Sequence, residues 1–362
     1  MRIAIVGAGA IGCSLAGPLS ARGHEVTLVG RPAQVEAIER DGLALEDPSG
    51  ARRIFRLDAA TALATRPDLV LLTVKTQDVA AACAALLPLA AGVPVVALQN
   101  GVRGDQLAAD VLGREAVLGA VVMSAASYLR PGEVTVQFPG WLIVGEPFGP
   151  VRVRTREVAR VLRGALPTHM TRHLDRVRWS KLISNLNNGL CAATGLALPE
   201  LMRQPEGPRL ALRVMREGRV VTRAAGIRLD HGLYGLTPHA LLRDPTAALI
   251  ALLQASMTSV LTALPERVAL AILRAAGRGR LSQLPIRGST WQSIARGRPS
   301  ELDYLNGEIV RLGRARNIPT PYNTHLAAVV RGVEATRQFV ALEVLLPPAA
   351  AGLRAQHVAA EA

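Results

Sequence analysis

The stretch that most constrains this chain is the one nearest its start. Arg2-Ile-Ala-Ile-Val6 is a short apolar run, and Gly7-Ala-Gly9-Ala-Ile-Gly12 follows it directly. Leu15, Ala16 and Leu19 then recur at helical spacing as far as a stop at Gly23, and Glu25-Val-Thr-Leu-Val29 reads as a second strand. A strand, a glycine turn, a helix and a strand within about 30 residues form the context in which G-x-G-x-x-G marks a dinucleotide site. Gly7 permits the tight turn, Gly9 lets the backbone approach a pyrophosphate, and Gly12 lets the helix pack on the strand. The first helical N–H groups, those of Ala10 and Ile11 among them, would hold the phosphates.

Where the second strand ends, an NAD site needs an Asp or Glu to bond the ribose 2′-hydroxyl. The chain reads Gly30-Arg31-Pro32 instead. A guanidinium can hold a 2′-phosphate bidentately where a carboxylate would repel it, so the expected cofactor is NADP(H), with Arg31 as its phosphate ligand. Further on, residues 43–57 alternate like a small hairpin. Two continuous apolar runs, 68–74 and 93–98, read as buried strands that end on Lys75 and Asn100, the position where parallel sheets put ligand contacts. A short helix is expected over 104–112, strands near 116–128, 133–138 and 141–145, and a helix over 151–166.

After Pro167 strands give way to helices, with candidates over 176–195, 209–225, 247–264, 268–276, 289–296, 303–316 and 324–345. The expected fold is therefore α/β: a Rossmann-type doubly wound N-terminal sheet over residues 1–170, an all-α substrate and dimerisation domain over 171–345, and a low-complexity tail over 346–362.

Composition matters chiefly for one residue type. Of the 42 basic residues only Lys75 and Lys181 are lysines. A chain so biased uses Arg wherever a positive charge suffices, so a retained Lys marks a place where Arg would fail. Lys can release a proton when desolvated or set beside another cation, whereas Arg does not near neutral pH. Lys181 is thus a candidate proton donor, and Asn185 lies one helical turn later on the same face.

The net charge of +14 raises the question of nucleic acid. The arginines are scattered singly and in pairs, however, and few aromatics are present to stack bases. The reading is no nucleic acid and a preference for small anionic ligands. Three cysteines without metal-ligand spacing favour a reduced, cytoplasmic setting and no metal. The apolar start of the chain is accounted for by the glycine motif without a signal peptide. Ala247–Leu264 carries no charge, but Gln254 and several Ser and Thr residues interrupt it and Pro265 ends it. It is read as a helix buried in the core or at a subunit interface, hence no membrane span and a homo-oligomer.

Taken with Val74-Lys75-Thr76, Gln99-Asn100-Gly101, Trp179-x-Lys181-x-x-x-Asn185 and Ser300-Glu-Leu-Asp-Tyr-Leu-Asn-Gly307, the glycine turn and Arg31 make the chain resemble the ketopantoate reductase family from Met1 to about Gln338. The resemblance implies NADPH-dependent reduction of 2-dehydropantoate to pantoate. It implies Lys181 as general acid, Asn100 holding nicotinamide and substrate, Asn185 orienting substrate, Ser289 on the substrate carboxylate, and Glu301 bonded to the lysine or to the cofactor ribose.

Three departures fall on the substrate side. Gly189 stands where the family often has Asn, with Asn187 and Asn188 beside it; Gly288-Ser289 replaces a serine pair; and Ser293 replaces an Asp. A different 2-keto acid is therefore an alternative, as is a non-catalytic NADPH-binding sensor. The 3-hydroxyacid dehydrogenases share the glycine turn and a Lys-x-x-x-Asn helix, but their Ser-Gly-Gly loop is absent: the matching region reads Val122-Met-Ser-Ala-Ala-Ser127.

Overall fold

The computed structural model describes residues 1–230, 260–278 and 288–347. They fall into two compact units that divide between Arg178 and Trp179.

The first unit is built on an eight-stranded sheet. In spatial order its strands are β12 (Thr168–Met170), β11 (Leu142–Gly145), β8 (Val117–Val122), β7 (Val95–Ala97), β6 (Leu69–Leu72), β1 (Arg2–Val6), β2 (Glu25–Val29) and β5 (Asp58–Ala60). All neighbours are parallel except β8 and β11. Every residue of β6, β7, β8 and β11 is buried, which is why these strands read as unbroken apolar runs: helices cover both faces of such a sheet. The strand order reverses at β1, which pairs with β2 on one side and β6 on the other, so the carboxyl end of β1 is a topological switch point, the usual ligand crevice of this architecture. The alternation over 43–57 is a hairpin of β3 (Leu43–Glu46) and β4 (Arg52–Phe55). It joins β10 (Glu133–Phe138) and β9 (Ala125–Arg130) in a separate four-stranded sheet.

Among the described residues five helices belong to this unit: α1 (Ala10–Ser20), α2 (Pro32–Asp41), α3 (Val79–Ala90), α4 (Gly104–Leu112) and α5 (Val153–Leu162). Two of them have no counterpart among the expected elements. Helix α2 starts with Pro32 at a position where a missing N–H costs nothing. Helix α3 buries Val79, Cys83, Leu86 and Ala90, but alanines fill most of its other positions, so no polar face contrasts with the buried one.

Helix α6 (Leu174–Asn185) runs across the division. The second unit continues with α7 (Asn187–Thr194), α8 (Leu198–Arg203), α9 (Gly207–Ala224), α10 (Glu266–Ala276), α11 (Ser289–Ala295), α12 (Asn306–Ala315) and α13 (Pro321–Thr336). Among the described residues from Trp179 on there is no strand.

Three expected helices are interrupted. The one over 176–195 breaks at Leu186, whose carbonyl accepts a hydrogen bond from Asn306 Nδ2 at 3.1 Å. The one over 303–316 begins as a 3-10 turn at Leu302–Tyr304, and Leu305 with φ −112° and ψ −96° separates it from α12. The one over 324–345 stops at Thr336, because Arg337 takes a left-handed conformation (φ 63°) and donates to the Ile294 carbonyl. Asn306 in turn donates to Asn323 Oδ1 at 2.9 Å. Glu217 accepts the N–H groups of Tyr322 and Asn323 at 2.8 and 2.9 Å, so a buried polar chain caps α13.

The uncharged stretch expected to be helical over 247–264 lies outside the described residues as far as Ser259. Among the described residues no helix is long and apolar enough to cross a membrane.

Candidate active site

The glycine turn separates into residues that the protein itself requires and one that it does not. Gly7 has φ 119°, and a Cβ there would lie 2.5 Å from Val74 N. A Cβ on Gly12 would collide with the Gly7 carbonyl and lie 2.7 Å from Thr73 Oγ1, the hydroxyl that donates to Gly7 O at 2.8 Å. Both glycines are fixed by contact of α1 with β1 and β6. Gly9 has φ −91°, open to any residue, and a Cβ there would meet nothing within 4 Å. Among the described residues its missing side chain serves no packing, which leaves a cradle that a Cβ would fill. The first helix-closing bond is Cys13 N–H to Gly9 O at 3.0 Å, so the N–H groups of Ala10, Ile11 and Gly12 face that cradle without a backbone acceptor. This set fits a pyrophosphate.

Gly9→Ala is therefore expected to leave the melting temperature unchanged while weakening dinucleotide binding roughly tenfold or more. Calorimetric titration checks this, and unaltered affinity would contradict the assignment.

Arg31 caps α2 just past the end of β2. It is exposed, and its guanidinium has no ion-pair partner among the described residues. The residue before it must stay small, since a Cβ on Gly30 would lie 2.5 Å from Ala8 Cβ.

Lys75 and Asn100 follow β6 and β7, both half-buried, and their loops are stitched together. Thr76 Oγ1 donates to Asn100 O at 3.2 Å, and Gln99 Nε2 donates to Leu72 O at 2.8 Å and Val74 O at 3.0 Å. Arg178 completes the clamp by donating to Ala97 O at 2.9 Å, Gln99 O at 3.1 Å and Asp105 Oδ1 at 2.6 Å. Arg178 is 4% exposed and Asp105 6%, so this ion pair is fully enclosed. Burial pushes the Asp105 carboxyl up, and the adjacent guanidinium pulls it back down. Gly119 supplies the room, because a Cβ there would lie 2.7 Å from Asp105 Oδ1. No pattern marks Arg178 in the sequence: it is one arginine among many, and its partner is 73 residues away.

The second unit carries the other candidates. Lys181 and Asn185 lie one turn apart on α6, both half-buried, and the Asn185 amide has no hydrogen-bond partner among the described residues. Ser289 opens α11, and its hydroxyl oxygen is buried without a partner among the described residues. Ser293, the residue replacing an expected Asp, spends its hydroxyl on Ser289 O at 2.8 Å. Glu301 is 6% exposed at the turn before α12, where Ser300 Oγ accepts Leu302 N–H and Glu334 accepts Ser300 N–H. The turn, Arg31, Lys75 and Asn100 thus stand on the first unit, and Lys181, Asn185, Ser289 and Glu301 on the second. Among the described residues no cluster of His, Cys, Asp or Glu could hold a metal ion.

This arrangement matches known proteins along most of its length. Residues 3–148 match the family model described as ketopantoate reductase PanE/ApbA, and residues 173–334 match that of the ketopantoate reductase PanE/ApbA C terminal. A 2-dehydropantoate 2-reductase of Halobacterium salinarum is 28% identical over 338 residues, which span 91% of this chain and 98% of that protein. The crystal structure of a PanE/ApbA family ketopantoate reductase from Ralstonia eutropha is 34% identical with a TM-score of 0.73, covering 93% of this chain and 100% of that one. A D-mandelate dehydrogenase solved with NADH and anilino(oxo)acetate shares the fold at 21% identity, with a TM-score of 0.76 and coverage of 93% and 99%.

Proposed function

The chain belongs to the ketopantoate reductase PanE/ApbA family, and from that membership we propose that it reduces a 2-keto acid with NADPH, 2-dehydropantoate to (R)-pantoate being the reaction its residues support best. The observation that carries this reading is Lys181, one of two lysines in an arginine chain, half-buried with the half-buried Asn185 one turn away on the same helix.

When bound, NADPH supplies a hydride to the keto carbon. The protein must meet the charge that forms on the keto oxygen. The Lys181 ammonium donates a hydrogen bond to that oxygen and passes its proton across as the alkoxide develops, which stabilises charge where it appears. Asn185 orients the same oxygen, Ser289 donates to the substrate carboxylate, and Glu301 accepts from the lysine ammonium or a ribose hydroxyl. Asn100 and Lys75 hold the nicotinamide end, and Arg31 the 2′-phosphate. The product, pantoate, would serve pantothenate synthesis in the cytoplasm, and the helical unit would also form a homo-oligomer.

A second reading, a different 2-keto acid, is favoured by Gly189, Gly288 and Ser293. A panel of 2-keto acids assayed by NADPH oxidation separates the two. The highest kcat/KM with 2-dehydropantoate supports the first reading, a different best substrate supports the second, and oxidation with none overturns both.

Cofactor choice has its own test. Arg31→Ala is expected to raise the Kd for NADPH about 10- to 100-fold and to leave that for NADH near wild type, because only NADPH carries the phosphate that pairs with the guanidinium. Equal losses for the two cofactors would remove Arg31 from the site.

A further inference from the structure

Helices α12 and α13 pack side by side in the second unit, and a groove runs between them. Gly307, Val310, Arg311 and Arg314 recur at i, i+3, i+4 and i+7 on α12, and Ala327 and Arg331 at i and i+4 on α13, so each helix gives one face to the groove. It encloses about 300 Å³, at the lower end of the range for small-molecule sites. None of its lining residues belongs to the site described above. The floor is apolar, with Val310 8% and Ala327 3% exposed, and the rim carries the three guanidiniums.

In an arginine-rich chain such a rim says little by itself, and two observations set this one apart. The first is the state of its charges. Arg311 is held by the enclosed Glu308 carboxylate at 2.5 Å and Arg331 by Asp303 at 2.7 Å, whereas Arg314 has no ion-pair partner among the described residues. The Asp303–Arg331 pair lies open to solvent, its side chains 70% and 55% exposed, and a pair of that kind is weak enough for an incoming anion to displace the carboxylate. The second is Gly307. A Cβ there would lie 3.4 Å from Asp303 Oδ1 and from Leu302 O, ordinary contact distances, and its φ is not in the left-handed region, so the fold accepts alanine at this position. Glycine in a helix costs conformational entropy that alanine would spare. What the missing side chain provides is depth in the groove.

We propose that the groove between α12 and α13 binds a small organic phosphate monoester. Arg314 takes the phosphate together with Arg331, from which Asp303 swings away, and the carbon chain lies over Val310 and Ala327 beside Gly307. Each planar guanidinium fork matches two phosphate oxygens, and two such forks on neighbouring helices suit a dianion better than a single carboxylate.

Calorimetric titration of the full-length protein with n-butyl phosphate tests this. Arg314→Ala is expected to weaken binding about 10-fold or more, the worth of a hydrogen bond to a charged group. Gly307→Ala should weaken it as well, by filling the floor, with a melting temperature equal to or slightly above wild type. Asp303→Asn should act in the opposite direction and tighten binding severalfold, because it removes the carboxylate that competes for Arg331. Inorganic phosphate should bind about 10-fold more weakly than butyl phosphate, since it leaves Val310 and Ala327 uncovered. Arg31→Ala should change none of these affinities. A loss with Arg31→Ala but not with Arg314→Ala would place the phosphate in the dinucleotide cradle and overturn the proposal. No binding to the wild type at millimolar butyl phosphate, or equal affinities of wild type and Arg314→Ala, would overturn it too.

Discussion

Lys181→Ala is expected to lower kcat by ~10²–10⁴-fold while leaving the Kd for NADPH near wild type. On the proposed assignment the ammonium acts on the substrate oxygen in the transition state, so its loss would fall on turnover, while the dinucleotide would keep the contacts proposed for it at Gly9, Arg31 and the first turn of α1. Lys181→Arg should fail almost as badly. The guanidinium keeps the charge, but it holds its proton to a pKa above ~12, and its planar fork does not occupy the point position of an ammonium. A lysine that merely packs its stem would tolerate arginine, as nearly every other cationic position in this chain has. Pre-steady-state hydride transfer with saturating NADPH distinguishes the two, and a Lys181→Arg enzyme retaining most of its kcat across the pH range would falsify the general-acid assignment.

Arg178→Met is expected to destabilise the first unit by about 3–5 kcal/mol at neutral pH, as removal of one partner of a buried ion pair does. Arg178 and Asp105 are both enclosed, and without the guanidinium the carboxylate would face protein on all sides. The Ala97 and Gln99 carbonyls would lose their donor at the same time, which loosens the turn that carries Asn100.

The pH dependence has a definite sign. Burial holds the folded-state pKa of Asp105 above its unfolded value, and that excess grows once Arg178 is gone. Such a group contributes stability that is full below its unfolded pKa and is lost as pH rises through its folded one. The deficit of the variant should therefore be largest near pH 7 and shrink toward about pH 4. Asp105→Leu combined with Arg178→Met removes both charges and should recover most of the loss. Urea unfolding of the wild type and both variants across this pH range reads these differences. A change below about 1 kcal/mol in the single variant would mean that Asp105 is already neutral or hydrated.

Much of this molecule follows from local pattern alone. The glycine turn is legible because Gly7 and Gly12 answer contacts between adjoining elements within the first 74 residues, and strands covered on both faces must be apolar throughout. Lys181 stands out as a candidate because the composition makes lysine scarce. Composition hides as well as reveals: the same excess of arginine conceals Arg178, and the excess of alanine conceals α3.

What only the tertiary structure decided depends on partners far away in the chain. The break after Asn185 needs Asn306, 120 residues on. Asn187 goes to the core because Met215 is there to receive it, whereas Asn188 turns beside Ser289 because Gly288 leaves it room. Neighbouring asparagines on a helix carry the same chemistry and differ only by about 100° of rotation, so which of them is taken into the core is settled by the elements packed around the helix.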